Sequence, residues 1–207
     1  MEIITSTRQK EMTLQDIAKI CWENRVSINF GGMNSWPTNL FLENWFKSNN
    51  HSKLWVKGKD RPAWYWFSSD IPLIDLKNLS RPSQLPESAC DFGDVSLSND
   101  TLFNREICQK KSHINIVYNG HDADVLGRIR AHFLGSKGNG ALGLQYYAIS
   151  KYDWSVSLFH RKMLDNISHL SDDEKKRISA FCNSHTGRVA IEGVWRVVYG
   201  WPILCKA

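Results

Sequence analysis

The hydrophobic pattern changes period in the middle of the chain, and that change restricts the fold more than any other feature. Residues 113–118 (HINIVY) alternate with a period of two and are rich in β-branched side chains, which predicts a strand. Asn119-Gly120 supplies a turn signal that ends it. Residues 123–134 (ADVLGRIRAHFL) then place Val125, Leu126, Ile129 and Phe133 on one helical face, with Arg128 and His132 one turn apart on a neighbouring face. A strand feeding a helix in this way predicts a mixed α/β chain.

The flanking segments extend the pattern. Thr13 followed three residues later by Asp16 is a capping-type start, and Leu14, Ile17, Ala18 and Cys21 recur at helical spacing, so 13–25 reads as a first helix. Residues 27–50, with Gly31-Gly32 and Trp36-Pro37, read as a loop leading into a short helix around 38–47. The aromatic run 62–68 (PAWYWFS) predicts a strand, as does 154–160 (WSVSLFH). Between the first of these and 113–118, residues 71–111 carry Pro72, Pro82 and Pro86 with little periodicity and read as a long irregular insertion. Helices are expected over 172–182, opened by the acidic turn Ser171-Asp172-Asp173-Glu174, and over 187–200, closed by Gly200 before Pro202.

Composition narrows the function classes. At 207 residues, 42% hydrophobic and 23% charged, the chain suits one domain with a full core, and its nine tryptophans are expected mostly inside it. No window approaches the roughly 18 to 20 apolar residues of a bilayer span, and Met1–Lys10 lacks the apolar stretch of a secretory signal, so a cytoplasmic protein with no membrane partner is expected. Five cysteines without a CxxC pair read as reduced thiols. A net charge of +5 and a pI near 8.9 are compatible with a polyanionic partner and do not require one. No GxxxxGK[ST], GxSxG or HExxH motif occurs, and the His and Cys residues show no zinc-ligand spacing.

The residues with chemistry to offer are Tyr118 at a predicted strand end, and Arg128 and His132 on the helix that follows. Arginine makes charge-assisted, often bidentate contacts to phosphate oxygens, while tyrosine and histidine can move protons. Glu192 interrupts an apolar run (VAIEGVW), where an unpaired carboxylate is costly to bury. One carboxylate with water and substrate phosphate can hold Mg²⁺. Each residue also has an ordinary reading: Tyr118 as a strand-end aromatic, Arg128 in a structural salt bridge, His132 as a satisfied helix histidine, and Glu192 paired with Arg188 or Arg196, four residues to either side.

Together these residues resemble the GIY-YIG nuclease superfamily. Ala63-Trp64-Tyr65 stands where that family has GIY, Tyr118-Asn119-Gly120 stands for YIG, and Arg128 lies at the family's separation from the second tyrosine. His132 one turn later is similar to the stand-alone type II restriction-enzyme branch, and Glu192 precedes a Pro202-containing strand end. Gly and Ile of the first triplet are replaced, Asn119 is in the middle of the second, and Cys205 takes the place of an asparagine after the proline.

The resemblance implies a small, about three-stranded antiparallel sheet flanked by helices. It also implies a division into a helical extension over 1–55 and a nuclease domain over 56–207 with its insertion at 71–111. It further implies metal-dependent hydrolysis of double-stranded DNA. Glu192 would hold Mg²⁺ or Mn²⁺, Arg128 would steady the phosphate, and one of Tyr65 and Tyr118 would be the base, oriented by the other and His132. His121 is a secondary candidate, standing where some members carry lysine. A restriction endonuclease acting as a homodimer or higher oligomer is the expected role, with the extension and insertion contacting DNA. A loosely specific phage or mobile-element nicking enzyme and an inactive DNA-binding module are the alternatives.

Overall fold

In the computed structural model the described residues are 11–30, 62–101, 115–136, 140–147 and 151–206, with Asn44 and Lys47 as isolated helical positions. Helix α1 (Leu14–Glu23) starts at a full capping box between Thr13 and Asp16 and leads into strand β1 (Val26–Asn29). Strand β2 (Ala63–Ser69) is followed by helices α2 (Leu73–Lys77) and α3 (Phe92–Thr101). Strand β3 (Asn115–Asp122), helix α4 (Val125–Leu134), strand β4 (Trp154–His160) and helices α5 (Asp172–Asn183) and α6 (His185–Tyr199) complete the order.

The strands form one antiparallel sheet in the order β1-β4-β2-β3. All seven residues of β2 are buried, so both faces of this central strand are covered. Alternation sends Trp64 and Trp66 to one face, where the Trp64 indole donates to the Arg188 carbonyl of α6 at 2.9 Å. Trp22 of α1 meets Trp66 at 5.4 Å and Trp195 of α6 at 5.3 Å between ring centroids, both edge-on. Tyr65 and Phe67 point to the other face, covered by α4 and by the segment after β2: Phe92 stacks on Tyr147 at 3.9 Å and lies 6.0 Å from Trp154. The result is a sheet between two layers of helix.

Four expectations need correction. The sheet has four strands where about three are expected: β1 lies largely in the stretch whose sequence reads as loop, and it pairs in register with β4 from Val26–Leu158 to Asn29–Ser155. Residues 14–29 therefore share one sheet and core with the other described strands and helices. The stretch 71–111 is not irregular throughout, because it includes α2 and α3. Asn119-Gly120 does not end β3, which runs on to Asp122 in continuous pairing with β2. Among the described residues no strand follows Pro202, and residues 203–205 form a turn and a bend instead.

The other elements match their expected ranges to within a few residues. Of the tryptophans, Trp64, Trp66, Trp154 and Trp195 are among the largest fully buried side chains. Cys21, Cys90, Cys182 and Cys205 are buried free thiols, and the short helix expected around 38–47 lies outside the described residues apart from Asn44 and Lys47.

Trp195 joins α6 to both α1 and the sheet, yet its indole N–H is buried without a hydrogen-bond partner. Trp195→Ala should lower unfolding stability by about 3–5 kcal/mol. Trp195→Phe should cost less than half as much, because it keeps most of the packing and removes an unsatisfied donor. Urea denaturation of the three proteins measures both.

Candidate active site

The site begins at the pairing of β2 with β3. Tyr65 lies directly across from Gly120 and Phe67 across from Tyr118, so both tyrosines stand on the α4 face of the sheet. Their rings are 6.2 Å apart and 20° from parallel. Gly120 has no side chain, and Tyr65 uses the room. A Cβ at position 120 would fall 2.5 Å from the Tyr65 hydroxyl and 2.7 Å from its ring carbon Cζ. The glycine is needed for space rather than for a turn.

Helix α4 brings the next two residues. Asp124 caps it, accepting from the Gly127 N–H, and Gly135 ends it in the left-handed conformation. His132 is fully buried, 4.7 Å from the Tyr118 ring and 5.4 Å from that of Tyr65. Its Nδ1 accepts the Leu142 backbone N–H at 3.2 Å, which leaves the proton of the neutral ring on Nε2. Burial, assisted by Arg128, holds the imidazole well below its usual titration range, so the neutral form is the one present. The 2.8 Å contact between His132 Nε2 and Tyr65 Oη is therefore an N–H donated to the phenol. Arg128 also hydrogen-bonds both phenols.

Tyr65, Tyr118, Arg128 and His132 thus form one connected set. Burial pushes Tyr118 up to about 12 and Tyr65 well above the ordinary phenol value, even though Arg128 pulls both down. At neutral pH both are therefore un-ionised phenols, with Arg128 as the cationic group that favours their ionised form.

Glu192 arrives differently. Positions 119 and 121 of β3 face the opposite layer, and there α6 meets them. Arg196, one turn after Glu192, binds Glu192 Oε1 and also donates to Asn119 Oδ1 at 2.8 Å. Glu192 Oε2 faces His121 Nε2 at 3.7 Å, beyond hydrogen-bonding range. Burial raises the Glu192 carboxyl above its usual value against the opposing pull of Arg196, while its charge reaches both phenols. Burial, with Arg188 and His185 nearby, pushes His121 down to about 4, which leaves a neutral imidazole.

Edge strand β3 therefore separates Glu192 from the tyrosine set. A cavity of about 270 Å³ is lined by Tyr118 and Arg196, together with Cys90, Cys205 and Lys206. Among the described residues no group of three or more His, Cys, Asp or Glu side chains converges to hold a metal. The available donors are one carboxylate oxygen and one imidazole nitrogen. That pair suits a divalent cation whose remaining positions are filled by water and phosphate.

Sequence reasoning gave Arg196 and Asn119 no role of their own. The i, i+4 spacing to Glu192 was the only signal for Arg196, and Asn119 was visible only as the altered letter of a triplet. Cys205 sits against Asn119, accepting its backbone N–H at 3.3 Å, with Asn119 Oδ1 also 3.3 Å away. Burial pushes that thiol up to about 12.

Two outcomes follow for stability. Gly120→Ala should cost about 1–3 kcal/mol by displacing Tyr65, measurable as a lower urea midpoint. His132 binds a proton more readily when unfolded, so its contribution is intact above pH 6.5 and is lost as pH falls below that value. The loss is up to about 1.4 kcal/mol per pH unit. Urea midpoints at pH 7 and 5.5 should drop less for His132→Gln than for wild type, since the titrations of His121 and Glu192 are common to both.

Among known proteins, the chain matches no family model, no curated protein and no solved structure at a significant level.

Proposed function

We propose that this chain is a divalent-metal-dependent DNA endonuclease that hydrolyses phosphodiester bonds, acting as a sequence-specific restriction enzyme. The observation that carries the reading is the buried set in which two tyrosines from paired strands share Arg128, with His132 donating to one of them. A guanidinium set between two neutral phenols has the chemistry for charge-assisted, bidentate contact with phosphate oxygens.

In this reading Arg128 binds the scissile phosphate. A guanidinium is planar and always charged, and its donor geometry matches phosphate oxygens. Tyr118 lines the cavity and is the phenol placed to meet an attacking water. Tyr65 lies behind it, its oxygen accepting from both His132 and Arg128, and fixes the position of the guanidinium. A divalent cation bound at Glu192 would supply Lewis-acid polarisation of the phosphate and lower the pKa of a bound water. Double-stranded cleavage with one site per subunit calls for a homodimer on DNA, matching a palindromic target.

One observation favours the inactive DNA-binding module instead: Glu192 is already tied to Arg196 on the far side of β3. The two readings part in a single experiment. Purified protein is incubated with unmodified plasmid and Mg²⁺ or Mn²⁺, with EDTA and Glu192→Gln as controls. The nuclease reading expects metal-dependent cleavage that Glu192→Gln lowers by about a hundredfold or more. Discrete fragments indicate restriction-type specificity, and nicks or a smear a loosely specific enzyme. Salt-sensitive DNA binding without cleavage by wild type overturns the nuclease and supports the module. No helix among the described residues is long and apolar enough to cross a membrane.

A further inference from the structure

His121 lies outside the tyrosine set and has no structural partner that accounts for its place. It is on the Trp64 face of β3, where α6 covers it, and its side chain is only 14% exposed. Its Nδ1 is buried without a hydrogen bond, and Nε2 stops 3.7 Å short of Glu192 Oε2. The His185 ring packs edge-on against it at 5.3 Å and restricts its orientation. An imidazole nitrogen directed at a carboxylate oxygen, yet too far for a hydrogen bond, leaves both atoms with lone pairs for an ion between them.

We propose that His121 Nε2 and Glu192 Oε2 together ligate one divalent transition-metal cation, making the metal site of the proposed nuclease a mixed nitrogen–oxygen site. Two bonds of about 2.1 Å to a shared ion place the donor atoms no more than about 4.2 Å apart, and 3.7 Å falls inside that limit. Arg196 occupies only Oε1 of the carboxylate, so Oε2 keeps its lone pairs for the metal. Arg196 also aligns the carboxylate by holding it to Asn119, as an outer partner of a ligand does. An imidazole ligand moves preference away from Mg²⁺, which favours all-oxygen shells, toward ions such as Mn²⁺ that accept nitrogen.

This inference rests on the nuclease reading for its biological sense but is tested without any DNA. Mn²⁺ is titrated into the intact protein at neutral pH, its binding followed by electron paramagnetic resonance, and the bound ion examined by electron spin echo modulation. The expected result is coupling to a directly bonded nitrogen that changes on ¹⁵N-histidine labelling. That coupling should disappear in His121→Ala and persist in His185→Ala. Mn²⁺ affinity should fall by about tenfold or more in His121→Ala and in Glu192→Gln, while Mg²⁺ affinity falls less in the former.

Circular dichroism establishes that each variant is folded. If His121→Ala does not fold, the wild-type spectrum and its isotope shift, with His185→Ala as comparison, still decide the question. An oxygen-only Mn²⁺ shell, no Mn²⁺ binding, or nitrogen coupling lost with His185 overturns the proposal. A nitrogen-ligated Mn²⁺ in a protein that cuts no plasmid supports this site and removes the nuclease. Cleavage with an oxygen-only metal shell does the reverse.

Discussion

Burial of β2 on both faces is the constraint on which the rest of the architecture depends. A strand with one wet face could place polar residues there, but here every side chain from Ala63 to Ser69 must find a dry neighbour. The tryptophan face is filled by α1 and α6, whose rings interlock around Trp22 and Trp195. The tyrosine face is filled by α4. Because Tyr65 carries a hydroxyl into this interior, the fold must provide a donor for it, and His132 does so with a proton held on Nε2 by the Leu142 amide. The loop after α4 therefore sets the hydrogen-bonding state of a residue on the central strand.

What was legible in the chain follows the strength of local signals. Helices α1 and α5 have capping boxes, and α4 and α6 have apolar stripes, so their positions could be read from residue spacing. Strands β2 and β4 are dense in aromatic and β-branched residues. Strand β1 has only four residues, of which Val26 and Ile28 are buried, too short a pattern to separate from loop without its partner β4. Helix α3 has Gly93, Ser96, Ser98 and Asn99 among its ten residues and little apolar periodicity, which is why it was invisible.

The misread turn at Asn119-Gly120 has a specific physical cause. Asn-Gly is a strong hairpin signal because both residues tolerate positive φ. In β3 neither residue turns the chain, and both are selected by what lies beside them. Gly120 clears the space over which Tyr65 lies, and the Asn119 amide oxygen accepts from Arg196. Local propensity was overruled by cross-strand and cross-layer contacts, information that no window of the sequence contains. The same holds for the separation of Glu192 from the tyrosines. Spacing placed Glu192 on α6, and only the sheet topology put α6 behind β3.

That separation bears on how the two halves of the candidate site communicate. Arg196 reaches Glu192, the Asn119 side chain and the Asn119 carbonyl, and stacks on Trp201 at 4.4 Å. Cys205 closes on the same asparagine, and the Leu204 N–H adds a 2.8 Å bond to the Val117 carbonyl on the free edge of β3. The segment after α6 is thereby fastened to the strand that carries Tyr118. A shift of α6 that moved Glu192 would pull on β3 through Arg196 and through residues 204–205 together. Tyr118 and Gly120 alternate along that strand with Asn119 and His121, so a small rotation of β3 moves the phenol and the imidazole in opposite directions. One edge strand thus carries, on its two faces, the contacts of Glu192's partner Arg196 and those of the tyrosine set.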